Sequence, residues 1–416
     1  MRQFLAILIA FLLMPFWRKK KLGFGPTLLL TGCILSLIAG MEIPRAVGAF
    51  TGVFTTPNTV YTIIAVILVG VLGNLLKQYG ILDRIVADLK VVVHNKKAII
   101  MLLPAVMGLL SVPGGAHLSA PFVDSVGGEI GLPPQRRAAL NLSFRHIAMF
   151  ILPFTSSMIF ITTVIPDINL YHLIALNAGF VVCMQLGAYF FYLRDAKSER
   201  TPAAGDKGKA LLDLILYLSP VYMVMVFNAI LNRVAPVQVP MCASVFLCII
   251  LTFFLIGSEK KNFLKHCWGG VSFSTLGMLV GVYFVQNLIK NLDAVISAIN
   301  LAFSTSSGFT ILLIVAVAAI LFGLTTGLSL VPMGIILPLV ATLPLSYEMR
   351  LLYTFFVFIW SFLGYYYSPL HLCQLLTIQY MKVDSLSVYK EHAKMVPYLM
   401  VVSFVLFYLY QFLLIR

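Results

Sequence analysis

An arginine and a histidine stand side by side within an apolar stretch, LNLSFRHIAMFILPFTSSMIFITTV. An ionisable residue in a membrane segment is costly, so Arg145 and His146 are candidate site residues. The planar guanidinium of Arg145 suits the capture of a carboxylate or another small anion. A structural role is equally open, in which Arg145 reaches the membrane surface or pairs with Asp124 or nearby carbonyls.

Two further histidines follow breaks in apolar stretches. His117 comes two residues after Pro113-Gly114-Gly115, where it could bind substrate, respond to pH or donate to a local carbonyl. His371 follows Ser368-Pro369, where it could contact substrate or cap backbone that the proline frees. Both breaks are candidate parts of a binding site, together with Gly114, Gly115 and Ser368.

A coupling cation would need oxygen ligands from the same region. Asp124 is the only acid within residues 98–127, and it could carry a proton, neutralise Arg145 or be structural. Sodium would rely on carbonyls and on hydroxyl groups such as those of Ser111, Thr155, Ser156, Thr325, Thr326 and Ser329. Serine and threonine also fill helix interfaces in lipid, so their identity alone decides little.

These residues must be positioned by membrane helices. Of the 416 residues, 60% are hydrophobic and 11% are charged, whereas soluble domains carry about 25% charged residues. Apolar segments lie at about 3–17, 26–41, 58–76, 98–127, 139–165, 168–193, 211–231, 237–257, 269–289, 309–340, 349–380 and 395–414. The composition predicts an all-α polytopic protein in a lipid bilayer.

A charged linker at 194–210, RDAKSERTPAAGDKGKA, separates six segments from six. The third, fourth and fifth segments begin at 58, 98 and 139, and their counterparts begin at 269, 309 and 349. The nearly constant offset predicts a repeat of residues 1–193 in residues 211–416. Internal repeats of this kind are typical of secondary transporters.

Two segments are interrupted near their centres. Residues 98–127 contain Pro113-Gly114-Gly115, and residues 309–340 contain Gly323, Gly327, Pro332 and Gly334. Such backbone is tolerated at membrane depth where protein or a water-filled cavity covers it, so we expect two re-entrant hairpins. The following spans, 139–165 and 349–380, are expected to be broken at Pro153 and around 364–369. Two separate short spans or a kinked helix are the alternatives to each hairpin.

The basic residues predict the orientation. If ten helices cross and the hairpins do not, 22 of the 29 Lys and Arg residues fall in loops on one side and six on the other, and Arg145 lies within a span. The basic side is expected to face the cytoplasm of a cell membrane, with both termini outside and the two halves inverted. This distribution also explains the net charge of +14 without a nucleic-acid partner.

Three blocks, GLLSVPGGAHLSAPFVD, LNLSFRHI and GYYYSPLHLCQLLTIQY, resemble domain-of-unknown-function family 401, and the likeness spans nearly the whole chain. That family is similar to the ion-transporter superfamily of dicarboxylate, citrate and gluconate carriers. The resemblance implies an elevator-type carrier with the hairpins and broken helices in its moving part. Carriers of that superfamily are often dimers, so a homodimer is one expected assembly, although no dimer face is marked.

The sequence departs from the sodium–dicarboxylate carriers at the two hairpins. Their paired Ser-Asn-Thr motifs are absent, since the first hairpin has PGGAH and the second has LTTG. The departure leaves both sodium coupling and dicarboxylate specificity open.

The function predicted is secondary transport of a small solute, an organic anion, with H⁺ or Na⁺ as the coupling ion. No nucleotide-binding loop, cofactor motif or Cys/His metal spacing is present, and the six cysteines are interpreted as apolar packing residues. A membrane-embedded enzyme using His117, His146 and His371, or an accessory subunit of a membrane complex, is the alternative.

Overall fold

The computed structural model describes residues 2–108, 116–197, 205–233, 239–257, 260–305 and 308–415, and within these ranges the chain is helical without strands. The helices are α1 (Arg2–Leu12), α2 (Met14–Lys19), α3 (Phe24–Ala39), α4 (Ile43–Thr55), α5 (Pro57–Gln78), α6 (Ile81–Val92), α7 (Lys96–Gly108), α8 (Ala116–Glu129), α9 (Pro134–Arg145), α10 (Ile147–Ile151), α11 (Ser156–Val164), α12 (Leu170–Ala188), α13 (Lys207–Leu231), α14 (Val239–Leu255), α15 (Phe263–Gly269), α16 (Phe273–Ile289), α17 (Asp293–Thr305), α18 (Gly308–Thr326), α19 (Leu330–Thr342), α20 (Tyr347–Tyr366), α21 (Leu372–Met381) and α22 (Ser385–Leu414). A π-helical turn, Tyr189–Leu193, extends α12.

Seven helical segments among the described residues are long and apolar enough to cross a membrane. They are Pro57–Gln78, Pro134–Val164, Leu170–Leu193, Lys207–Leu231, Gly308–Thr326, Tyr347–Tyr366 and Ser385–Leu414. The pair α15 and α16, bent by 41°, makes an eighth if it counts as one span. Four shorter apolar helical segments accompany them, Arg2–Trp17, Phe24–Ala39, Val239–Leu255 and Leu330–Thr342. The chain is therefore a multi-pass membrane protein.

Apolar side chains cover much of the outer surface of these helices. On α22, Val401 and Phe412 are 63% and 70% exposed, and on α3, Leu37 is 76% exposed. A soluble protein rarely leaves so many large apolar side chains in contact with water, because each costs free energy there. In a bilayer the same side chains face lipid.

Helices α3 and α16 pack against each other with their backbones in close contact. A Cβ atom on Gly25 would lie 2.6 Å from the carbonyl carbon of Gly277, so only glycine fits at that crossing. Small residues allow this approach, which is the usual basis of helix association in lipid.

Helix α20 is the most deeply buried of the long helices and packs against α12, α18, α19 and α22. Its contact with α18 depends on two glycines, since a Cβ on Gly323 would lie 2.8 Å from the backbone of Gly364. On another face, the Nε1 of Trp360 donates to the hydroxyl of Ser403 in α22 at 2.9 Å. These contacts fix the end of α20 that leads to the candidate site.

Three helix interruptions lie near one another in the protein interior. The first, residues 152–155, separates α10 from α11, because Pro153 lacks an N–H donor and holds Leu152 in an extended conformation (φ −89°, ψ 124°). The second, 367–371, separates α20 from α21, and the third, 327–329, separates α18 from α19. Gly327 has φ +66°, a left-handed conformation that favours glycine.

Candidate functional site

The junction of α9 and α10 carries Arg145 and His146 into the interior. Arg145 is the last residue of α9, His146 is the turn between the two helices, and each is only 6% exposed. The surrounding residues of α9 from Ala138 to Phe144 are buried as well. The Arg-His pair is therefore held inside the protein.

The break between α20 and α21 brings a second group of residues to the same place. His371 directly precedes α21 and is fully buried, although its side chain does not cap the helix. Cys373 lies in the first turn of α21, and Tyr365 lies near the end of α20. The ring centroids of His146 and His371 are 5.1 Å apart, and those of Tyr365 and His371 are 4.1 Å apart. Residues far apart in the sequence thus form one cluster.

This cluster borders a cavity of about 270 Å³. The cavity lies between the helix breaks and helices α3 and α16. It is lined by Phe24, Gly108, Arg145, His146, Met149, Thr155, Ser156, Ser157, Ser274, Thr275, Met278, Gly327, Leu328, Tyr365, Leu372 and Cys373. Among these described residues none carries a carboxylate, and Arg145 carries a fixed positive charge. The lining therefore favours a small anion.

Two helices begin at the cavity. Ser156 and Ser157 open α11, and Leu372 and Cys373 open α21. The first amide groups of a helix have no partner within that helix, and the helix dipole places partial positive charge at this end. Both helix starts add to the charge of Arg145, which makes anion binding more favourable.

Thr155 fixes the start of α11. Its hydroxyl accepts from the amide of Met158 at 3.4 Å and lies within donating distance of the carbonyls of Met149 and Leu152, at 3.2 and 3.3 Å. Thr155 is thus an N-cap that also lines the cavity.

Arg145 is anchored on α7. Its Nη1 donates to the carbonyl of Met107 at 3.1 Å, next to Gly108, which touches the Arg145 backbone closely. This contact agrees with the structural alternative, in which the arginine bonds to carbonyls of residues 98–127. Arg145 also lines the cavity, so the same side chain can hold α7 and contact a ligand.

The hydrogen bonds of the two histidines define their tautomers. Nδ1 of His146 lies 2.6 Å from the carbonyl of Leu142, and Nδ1 of His371 lies 3.3 Å from the carbonyl of Tyr366. A carbonyl only accepts, so each Nδ1 is the donor, and in the neutral rings each Nε2 carries a lone pair. The Nε2 of His146 faces the hydroxyl of Tyr365 at 3.3 Å, whereas the buried Nε2 of His371 has no hydrogen-bond partner among the residues that the structure describes.

His146, His371 and Cys373 also form a group with metal-binding chemistry. One ligand atom from each, two imidazole nitrogens and a thiol sulfur, lie within 4.8 Å of one another. No metal-binding spacing is evident along the chain because the three ligands come from its two halves. Cys373, which was interpreted as a packing residue, lies instead at the cavity.

Several predicted site residues lie beside the cavity without lining it. The hydroxyl of Ser368 donates to the carbonyl of Leu324 at 2.6 Å and so joins the second break to the end of α18. Thr325 and Thr326 bond to carbonyls of their own helix, and Ser329 directly precedes α19 without a capping hydrogen bond from its side chain. At the third break, Gly327 and Leu328 line the cavity in their place.

Asp124 lies away from the cavity lining. Its carboxylate forms an ion pair with Arg137 at 2.8 Å, and its carbonyl accepts from the same guanidinium at 2.9 Å. This pair fastens α8 to α9. The coupling role predicted for Asp124 stays a prediction.

Four predicted residues fall at or beyond the edge of the described chain. Ser111, Gly114 and Gly115 lie outside the described residues, and the backbone of His117 belongs to the first turn of α8. Their proposed contacts stay predictions.

Sequence reasoning missed Tyr365, Tyr366 and His392. The Tyr366 hydroxyl lies 2.8 Å from that of Ser143 and 3.3 Å from Nδ1 of the fully buried His392, which Tyr192 also contacts at 3.2 Å. This polar chain runs from α9 through α20 to α22 behind the cavity. The run GYYYSPLHLC, with polar aromatic residues beside a proline break, was the signal that could have identified the tyrosines.

No curated protein matches this chain. A family model described as protein of unknown function (DUF401) matches residues 7–410. Nearly the whole chain, including both breaks and every residue that lines the cavity, falls within the match. The chain therefore belongs to the DUF401 family.

Proposed function

We propose that this protein is a secondary active transporter that moves a small organic anion across the membrane, coupled to H⁺ or Na⁺. The observation that carries the proposal is the cavity, in which buried Arg145 and the starts of α11 and α21 meet and to which no described lining residue contributes a carboxylate. Its volume of about 270 Å³ is sufficient for a compact anion of a few carbon atoms.

The proposal includes ten membrane crossings, two re-entrant hairpins and inverted repeats 1–193 and 211–416. In support, α7 packs against α8, and these helices have 13 and 14 residues. Over the described residues, at 1.5 Å per residue, each is about 20 Å long, compared with the roughly 30 Å hydrocarbon thickness. The second hairpin is α18 and α19, which also pack together, although α18 with 19 residues is long enough to cross alone.

Broken helices at depth support transport over a purely structural role. Interrupted backbone costs several kcal/mol per unpaired group in lipid, so it is retained where it lines a cavity. The proposed movement is an elevator-type displacement of the hairpins and broken helices relative to the remaining helices. A cell-membrane location with both termini outside belongs to the same proposal.

The test is a thermal-stability scan of the purified protein with mono-, di- and tricarboxylates, with and without sodium. A ligand at 100 times its dissociation constant stabilises the folded state by about 2.7 kcal/mol. We expect stabilisation by one anion class, lost in Arg145→Ala and retained in Arg136→Ala. Arg136 is the matched control because it lies on the same helix but pairs with Glu391 at 3.7 Å, away from the cavity.

Transport is then measured by uptake of the stabilising anion into proteoliposomes under imposed proton and sodium gradients. Uptake driven by one gradient identifies the coupling ion. Binding that is equal in wild type and Arg145→Ala, or an absence of uptake under every gradient, contradicts the proposal.

A further inference from the structure

Three ligand atoms of the kinds that zinc prefers converge beside the cavity. His146 and His371 each offer one imidazole nitrogen and Cys373 offers its Sγ, and these three atoms lie within 4.8 Å of one another. Both histidines are more than nine-tenths buried. Borderline-soft divalent ions take imidazole nitrogen and thiolate sulfur in sites of this composition.

The two imidazoles are oriented as metal ligands usually are. Each donates its Nδ1 proton to a backbone carbonyl, His146 to Leu142 and His371 to Tyr366. This hydrogen bond fixes the ring and leaves Nε2 with a lone pair, which is the arrangement that supports ligating histidines. An ordinary buried histidine satisfies both nitrogens, yet Nε2 of His371 has no hydrogen-bond partner in the described part of the chain.

We propose that His146, His371 and Cys373 bind a zinc-type divalent ion, with a fourth coordination position open to the cavity. Zinc–nitrogen and zinc–sulfur bonds of about 2.0–2.3 Å place tetrahedral ligand atoms roughly 3.3–3.8 Å apart. The widest separation in the cluster must therefore shorten by about 1 Å when the ion binds. The Tyr365 hydroxyl, 3.3 Å from Nε2 of His146, makes a long hydrogen bond that the ion displaces.

Cys373 is the ligand that supplies negative charge, which the site needs because Arg145 lines the same cavity. A divalent ion beside a guanidinium is opposed electrostatically, and a thiolate offsets half of its charge. Binding forms the metal–sulfur bond and releases the thiol proton to water in the cavity. The site does not depend on transport, so it stands or fails separately from the proposed function.

The test is a titration of the purified full-length protein in detergent with Co²⁺, which gives a near-ultraviolet thiolate-to-cobalt band. We expect one equivalent per chain, displacement by Zn²⁺, loss of the band in Cys373→Ser and at least about tenfold weaker binding in His371→Gln. Cys33→Ser and His172→Gln are the controls, since both residues are exposed and distant in the chain, and they should bind as wild type does.

A second measurement uses only wild-type protein, in case His371→Gln fails to fold. Zn²⁺ should slow alkylation of Cys373 at least tenfold, as followed by mass spectrometry, and leave that of Cys33 unchanged. A cobalt band that persists in Cys373→Ser, or equal alkylation of Cys373 with and without Zn²⁺, overturns the proposal.

Discussion

The contact between α18 and α20 yields a quantitative prediction for Gly323→Ala. A Cβ at this position would lie 2.8 Å from the Cα and carbonyl carbon of Gly364. These are backbone atoms of a buried helix, so no side chain can rotate away to make room. We expect the substitution to push the two helices apart.

The size of the effect follows from that distance. Carbon atoms in ordinary contact are about 3.5–4.0 Å apart, so the helices must separate by roughly 0.7–1.2 Å. Overpacking of this kind costs about 1–3 kcal/mol. The same displacement strains the 2.6 Å hydrogen bond from the Ser368 hydroxyl to the carbonyl of Leu324, which joins the second break to the end of α18.

The assay is the free energy of unfolding from sodium dodecyl sulfate titration in mixed micelles, with Gly48→Ala as the matched control. Gly48 lies within α4, and a Cβ there would have no heavy atom within 4 Å. Both variants share the helix-propensity gain of about 0.5–1 kcal/mol, so their difference isolates the packing term. We expect Gly323→Ala to be about 1–3 kcal/mol less stable than Gly48→Ala.

The double variant Gly323→Ala/Gly364→Ala sharpens the test. Both added methyl groups enter one contact, so the second should cost less than the first, and the two losses should not add. Equal stability of Gly323→Ala and Gly48→Ala, or strictly additive losses in the double variant, would refute close backbone packing of α18 on α20.

Thr155→Val removes the side-chain cap of α11 and should lower the free energy of unfolding by about 1 kcal/mol, measured by the same titration; an unchanged value would mean that the cap contributes nothing. Gly327→Ala places a Cβ 2.7 Å from that of Leu370, at a residue whose φ is +66°. It should lower the free energy of unfolding by about 1–3 kcal/mol, and wild-type stability would contradict this. Burial and the Asp213 carboxylate raise the pKa of Asp88 on α6, so its ionisation disfavours the folded state as pH rises. Asp88→Asn should therefore raise the free energy of unfolding at pH 7 by at most roughly 0.5 kcal/mol, because solvent screens this partly exposed carboxylate, and should leave it unchanged below about pH 3.9. An equal effect at both pH values would contradict this.

Much of the architecture follows from local features of the sequence. The low charge and the long apolar runs indicate that lipid surrounds the protein. In lipid the backbone must form its hydrogen bonds within helices, so the helical fold follows. The break after α10 could be placed from Pro153 alone, since proline removes a donor and forces the preceding residue into an extended conformation. Family membership was likewise readable from three short blocks, and it is confirmed over residues 7–410. The number of crossings was harder to read, because apolar helices such as α14 and α19 fall short of a full span.

The site depended on contacts between distant parts of the chain. The sequence by itself identified Arg145, His146 and His371 as costly polar groups at breaks, because an ionisable side chain in an apolar segment is conspicuous wherever it lies. Only the tertiary structure decided that His146 meets His371 and Cys373 and that Asp124 pairs with Arg137. It also decided that the hydroxyl of Thr325 bonds to a carbonyl of its own helix. Hydropathy and helix breaks are properties of neighbouring residues, whereas the partners of a polar side chain depend on how whole helices pack.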